Sequence, residues 1–182
     1  MIRYFDTRCE QSSRYTNGPC GDLVIIERTP FHTTLVVCDG IGSGVPASIA
    51  AEMNASRMLH LLRQGRTPRQ VFERLVKTMS DWREYGKPFA AFTIARLFTD
   101  GTVTILSYEN PPPLILSAGR CSAPHMRPVV SGTGIALESQ CRLQPSDTLY
   151  LMTDGITQSG IGVLKGGWNQ PEIARFIESC TG

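Results

Sequence analysis

With 182 residues, 41% hydrophobic and 19% charged, the chain is long enough for one well-filled core and short for two. A formal net charge of +2, spread over scattered Lys and Arg, argues against a polyanion-binding surface. The densest basic group, Arg63, Arg66 and Arg69, has no interleaved aromatics, so no nucleic acid partner is expected.

"MIRYFDTRCEQSS" lacks an apolar signal core and no run approaches membrane-spanning length, so no membrane is expected. Cys9, Cys20, Cys38, Cys121, Cys141 and Cys180 are dispersed, without Cys-x-x-Cys spacing. They read as reduced thiols of a cytoplasmic protein. His32, His60 and His125 are near neither one another nor a cysteine, which disfavours zinc.

In chain order, "DLVIIERT" and "TTLVVCD" are short β-branched runs broken by Pro30, a pattern that predicts a strand hairpin. From Val45 to Arg63, Ile49, Met53, Met58, Leu59 and Leu62 fall near helical spacing, with Met53 and Met58 read as core filler. Gly65 and Pro68 stop that helix. Thr67 is placed as an N-cap, Pro68 as the first helical residue and Gln70 as the partner in a capping box. The second helix is expected to bury Val71, Leu75, Met79 and Trp82 and to end at Gly86.

"FAAFTIARLF" and "TVTILSY" flank "TDG" (Thr99 to Gly101), a strong hairpin signal. "NPPPLILS" predicts a rigid turn at Asn110 to Pro113 and a short strand. A Pro- and Gly-rich stretch without a predicted element follows to about Leu137. "SGTGIALES" within it precedes no helix and so makes a poor phosphate cradle. "CRLQPSDTLYLMTDG" reads as a polar turn into an apolar strand, and a helix around Glu172 to Cys180 closes the chain. Hairpins with a grouped helix pair indicate α+β architecture, mainly antiparallel sheet with helices packed on it.

One internal echo stands out: "TLVVCDG" (Thr34 to Gly40) and "LYLMTDG" (Leu149 to Gly155) each run a buried strand into Asp-Gly. Taken singly, either dipeptide reads better as a tight turn. As a pair, Asp39 and Asp154 would meet at the rim of a core. There, like charges need hydrogen bonds or a cation to offset their desolvation. Oxygen-only donors favour a hard ion, magnesium or manganese. "CGD" (Cys20 to Asp22) offers a third carboxylate, Asp22, for which a turn into the strand is an equal reading.

"CGD" before a strand, "VVCDGIGSG" before an Ala-rich helix, "NPPPLIL" and "LMTDGITQSG" occur in that order. Together they resemble the metal-dependent protein phosphatase superfamily with its protein phosphatase 2C-like fold. Within it, the bacterial regulators typified by SpoIIE, RsbU and RsbX are the most similar branch. The resemblance implies a four-layer αββα sandwich of two mainly antiparallel sheets flanked by helices. It implies two ions, Mn2+ or Mg2+, at one end of the sandwich. Asp39 would bridge them, Gly40 would contribute its carbonyl, and Asp22 and Asp154 would complete the ligands.

The implied activity is hydrolysis of phosphoserine or phosphothreonine by a metal-activated water, with Asp39 and Asp154 as the catalytic positioning ligands. The implied partner is a phosphorylated regulatory protein such as an anti-sigma factor antagonist. The helix pair from Val45 to Tyr85 would act as a switchable element, with a homodimer as one setting for it. Two departures are visible. Ile41 stands where many members carry His, and no Asp-Asp or Asp-Asn element follows "ARFIESCTG". Residues 1–182 are therefore expected to be a single phosphatase domain cut short before its final strand. A catalytically weak module that binds a regulatory partner is the alternative. Arg8 and Arg14 read as solvated loop residues.

Overall fold

The computed structural model describes residues 4–13, 18–84, 89–161 and 166–180, with residues 79–84 described by backbone alone. Expected positions Arg14, Met79, Trp82 and Gly86 lie outside the described side chains.

Alternation along the strands builds the layers. In strand β2 (His32–Gly40), Val36 and Cys38 enter one apolar cluster while Leu35 packs against another. Strand β1 (Asp22–Arg28) does the same, with Leu23 and Ile25 on the side of Val36. One face of this sheet therefore belongs to helices and the other to a second sheet. Strands β3 (Ala90–Phe98), β4 (Thr102–Tyr108), β7 (Arg127–Ser131) and β8 (Gly134–Arg142) complete the first sheet in the order β1-β2-β3-β4-β8-β7. Strands β5 (Leu114–Ser117), β6 (Arg120–Ser122) and β9 (Thr148–Tyr150) form the second, in the order β6-β5-β9. Every strand pair in both ladders is antiparallel.

Helices α1 (Gly44–Arg63) and α2 (Pro68–Glu84) cover the outer face of the larger sheet. Their shared core contains Met58, Leu62, Phe72, Leu75, Phe92, Ile94 and Tyr108. Tyr108 stands against Phe72, Phe92 and Phe89 at ring separations of 5.3, 5.5 and 6.1 Å. Tilted and edge contacts of this kind add to simple area burial. Between the sheets, Ala95, Leu97, Val103, Ile105 and Leu143 pack with Ile115 and Leu149. Outside the smaller sheet, helix α4 (Gln170–Ser179) sets Ile173 and Ala174 against Leu114, Leu116 and Met152. The result is the expected α+β sandwich in four layers. Among the described residues no helix is long and apolar enough to cross a membrane.

The expected capping box forms at α2. Thr67 N–H donates to Gln70 Oε1 (3.1 Å), and Gln70 N–H donates to Thr67 Oγ1 (3.2 Å). Helix α4 carries a second box, between Asn169 and Glu172.

Two expectations need correction. The stretch before Leu137 is not irregular: it holds β6, β7 and the start of β8. Pro128 is tolerated because β7 is an edge strand, where its missing N–H breaks no second ladder. Ser131 pairs with Gly134 across a two-residue turn, which Gly132 enables with a φ of +56°. Second, Ile49 and Met53 do not fill the core: they are 47% and 42% exposed. The buried face of α1 consists of Ala47, Ala50, Ala51, Asn54, Ala55, Met58, Leu59 and Leu62. Small residues let the helix lie close on the sheet, which turns the larger side chains at four-residue spacing outward.

Candidate metal centre

The carboxylates collect at one end of the sandwich, between the sheets. Asp39 falls on the same side of β2 as Leu35 and hence faces the smaller sheet. Asp22 is its direct partner in the β1–β2 ladder. Directly opposed residues share a face at roughly 5 Å between Cβ atoms, a costly position for two like charges. Sheet register alone thus brings Asp22 and Asp39 together.

Asp154 arrives from the other sheet, by a route the sequence did not suggest. Strand β9 ends at Tyr150, and Asp154 instead opens α3 (Asp154–Thr157), a single helical turn. The expectation of a second strand running straight into Asp-Gly is therefore corrected. Asp154 Oδ2 accepts a hydrogen bond from Gln158 Nε2 (2.5 Å), one turn later. Asp154 lies near enough for its charge and its polar groups to act on the Asp39 carboxyl.

Burial first, then the charges of Asp22 and Asp154, push the Asp39 carboxyl up to about 7. Among the described residues no three His, Cys, Asp or Glu side chains close around one point at ligand spacing. Thr153 Oγ1 donates to Asp22 Oδ2 at 2.8 Å.

Gly40 is required by packing. A Cβ there would lie 1.9 Å from the Ala47 carbonyl oxygen and 2.6 Å from its carbon. The first turn of α1 presses directly on the end of β2, and the Gly40 N–H donates to the Gly21 carbonyl at 3.1 Å. The expected reason for this glycine, freedom for its carbonyl to turn, is thus joined by a more restrictive one. Ile41 follows with its side chain 56% exposed.

The donor set fits a hard divalent ion. Three carboxylates and a backbone carbonyl offer oxygen alone, and the raised Asp39 carboxyl marks an excess of negative charge that a cation would relieve.

A buried polar group escaped the sequence reading. Thr93 Oγ1 and Ser107 Oγ lie 3.0 Å apart, and Ser107 Oγ donates to the Asn110 carbonyl (3.3 Å). Asn110 Nδ2 donates to Thr93 Oγ1 (3.3 Å) and to the Val37 carbonyl (3.5 Å), while its Oδ1 is buried without a partner. Asn110 therefore pins the Pro-rich turn to β2, two residues before Asp39. The available signal was Thr93 and Ser107, paired polar residues at inward positions of two apolar strands. Arg8, by contrast, is an exposed loop residue 3.9 Å from Asp6.

The family described as Stage II sporulation protein E (SpoIIE) matches residues 29–181. Among solved structures, the RsbU and RsbW domains of Rv1364c from Mycobacterium tuberculosis align at a TM-score of 0.68. That match has 20% identity over 92% of this chain and 48% of the other. The PP2C phosphatase domain of SpoIIE from Bacillus subtilis, with a fragment of its regulatory domain, gives 0.67. Its identity is 14% over 87% of this chain and 52% of that one. RsbX in complex with magnesium gives 0.64, at 18% identity over 98% and 92% of the two chains. The chain spans about half the length of the first and second of these structures. No protein with a curated description matches it significantly. The fold is that of PP2C-like phosphatase domains, and the chain belongs to the SpoIIE family.

Proposed function

We propose that the chain is a metal-dependent protein phosphatase that removes phosphate from serine or threonine of a regulatory protein in the bacterial cytoplasm. The observation that carries this reading is that Asp22 and Asp39, opposed in the β1–β2 ladder, lie at the same end of the sandwich as Asp154, whose charge acts on Asp39. Asp39, Asp22, Asp154 and the Gly40 carbonyl are the atoms that would hold two Mn2+ or Mg2+ ions. Bound there, such ions supply a water nucleophile near neutral pH and neutralise phosphate oxygens.

The chain's own residues set the geometry. Asp39, rigid at the end of β2, fixes where charge is concentrated. Asp154, on a short turn, brings the second sheet to it. Ile41 has no proton to give, so the alkoxide leaving group takes its proton from solvent. Exposed Ile41, Val45, Ile49 and Met53 run from this mouth along α1 at four-residue spacing. Apolar exposure beside a polar centre suits a protein substrate better than a small phosphate ester. The substrate class that best fits the family is a phosphorylated regulator such as an anti-sigma factor antagonist.

Ile41, and the absence among the described residues of three acidic or His/Cys side chains at ligand spacing, favour a second reading, a catalytically weak module that binds such a regulator. Hydrolysis of p-nitrophenyl phosphate with and without Mn2+, followed by release of phosphate from a phosphorylated antagonist protein, separates the two. Metal-stimulated turnover of both supports the phosphatase. Binding of the phosphoprotein without turnover at any Mn2+ concentration overturns it in favour of the module.

A further inference from the structure

Along the chain that leaves β9, side chains alternate between two cores. Leu149 and Leu151 pack into the cluster between the sheets, while Tyr150 and Met152 pack into the cluster under α4. The alternation continues past the end of the ladder, so Thr153 returns to the gap between the sheets. Its backbone is extended, with φ −96° and ψ 171°, a conformation that suits a β-branched residue. Thr153 also occupies the N-cap position of α3, where a threonine usually accepts a hydrogen bond from the helix backbone. Here the hydroxyl makes no such bond and instead crosses to the larger sheet, donating to Asp22 Oδ2 at 2.8 Å. It thereby fixes the orientation of the Asp22 carboxylate from the opposite sheet.

We infer that Thr153 is a positioning residue for the metal centre: it orients Asp22 from the opposite sheet and links the two layers across the site. This rests on the metal-dependent reading above. Partners that orient a ligand in this way commonly change metal affinity about tenfold to a hundredfold when removed. A valine has nearly the same shape as threonine and keeps the extended backbone, but it cannot donate. Serine keeps the donor and loses the methyl group.

The test is Mn2+ binding to the metal-free chain by titration calorimetry, for wild type, Thr153→Val, Thr153→Ala and Thr153→Ser, each checked for its fold by circular dichroism. Valine and alanine should raise the Mn2+ Kd by about tenfold or more, and serine should stay within about threefold of wild type. If valine does not fold, alanine against serine decides. An unchanged Kd in the folded variants that lack the hydroxyl overturns the inference and leaves the metal centre standing. Serine as weak as valine overturns it too, since the hydroxyl would then not be the active feature. Wild-type protein that takes up no Mn2+ overturns the metal reading itself and this inference with it.

Discussion

The two Asp-Gly segments look alike in sequence and are built differently. Asp39 ends a nine-residue strand paired on both sides, under a helix that packs directly on Gly40. Asp154 follows a three-residue strand paired on one side only and opens a single helical turn. The phase differs as well. Before Asp39, Cys38 is buried on the helix side, and Asp39 itself takes the inter-sheet face. Before Asp154, Thr153 takes that face, and the chain must coil into α3 to bring the next carboxylate round to Asp39. A carboxylate group assembled this way has one half set by sheet register and one half set by side-chain hydrogen bonds. The first should fail abruptly when altered, and the second by degrees.

The largest effect is expected at the shared carboxylate. Asp39→Asn should lower Mn2+-dependent hydrolysis of p-nitrophenyl phosphate by roughly 10²–10³-fold or more, since it removes the central negative ligand. The same variant should melt higher than wild type at pH 8, where Asp39 is ionised, when both are free of metal. Losing a charge crowded by Asp22 and Asp154 relieves repulsion of about 1 kcal/mol after allowance for solvent, or about 3 °C in a chain of this size. Activity lost together with stability would mean that the residue is structural. Near-normal activity would sink the ligand assignment.

Next in size is Gly40→Ala. The added Cβ would meet the backbone of Ala47 at 1.9 Å, and backbone cannot swing aside as a flexible side chain would. Destabilisation of about 3 kcal/mol or more is expected in urea, with α1 displaced from the sheet. A loss under about 1 kcal/mol would show that the helix is free to slide and that the rigid half of the comparison is not rigid.

Much of this was legible beforehand, and the failures have physical causes. The Thr67–Gln70 box could be read because capping depends on local chemistry alone. The β7–β8 hairpin could not, because Pro128 and Gly132 are breakers in the interior of a sheet yet acceptable on an edge strand and in a turn. On α1, Met58, Leu59 and Leu62 are buried as expected, but Ile49 and Met53 were misplaced because bulk was taken as the guide. The sheet in fact selected alanines for close approach and left Ile49 and Met53 outside. Asp39 and Asp154 were read from a repeated Asp-Gly dipeptide, and Asp22 from the "CGD" before β1. Thr153 and Asn110 were not, since each acts through contacts distant in sequence, 131 and 73 residues apart.

Acidity offers a middle-sized test. With the Asp39 carboxyl near 7, the folded metal-free protein keeps a proton that the unfolded chain releases near pH 4. The stabilising contribution is therefore complete below about pH 4 and is lost as pH rises through 7. Metal-free wild type should melt at a lower temperature at pH 8 than at pH 5.5, and Asp39→Asn should flatten that difference. Asp100, in the third Asp-Gly, has its carboxyl held below the usual range by hydrogen bonds from Thr102, so it is ionised across this window in both states and leaves the profile unchanged. A wild-type profile that rises with pH from 5.5 to 8 would show that the Asp39 proton is not held.

The smallest effect is the most pointed comparison, Gly155→Ala against Gly40→Ala. Gly155 lies inside α3, where alanine is the better helix former by up to about 1 kcal/mol. Its Cβ would meet nothing nearer than Thr153 Oγ1 at 3.6 Å, an ordinary contact. The substitution should change stability by less than about 0.5 kcal/mol in either direction, because a single turn realises only part of the helical preference. Since Thr153 Oγ1 is the nearest atom, the Mn2+ Kd is the more sensitive readout, and it should stay within about threefold of wild type. A loss comparable to that at Gly40 would mean that the second glycine is also clamped. The two Asp-Gly segments would then be mechanical equals despite their different routes into the site.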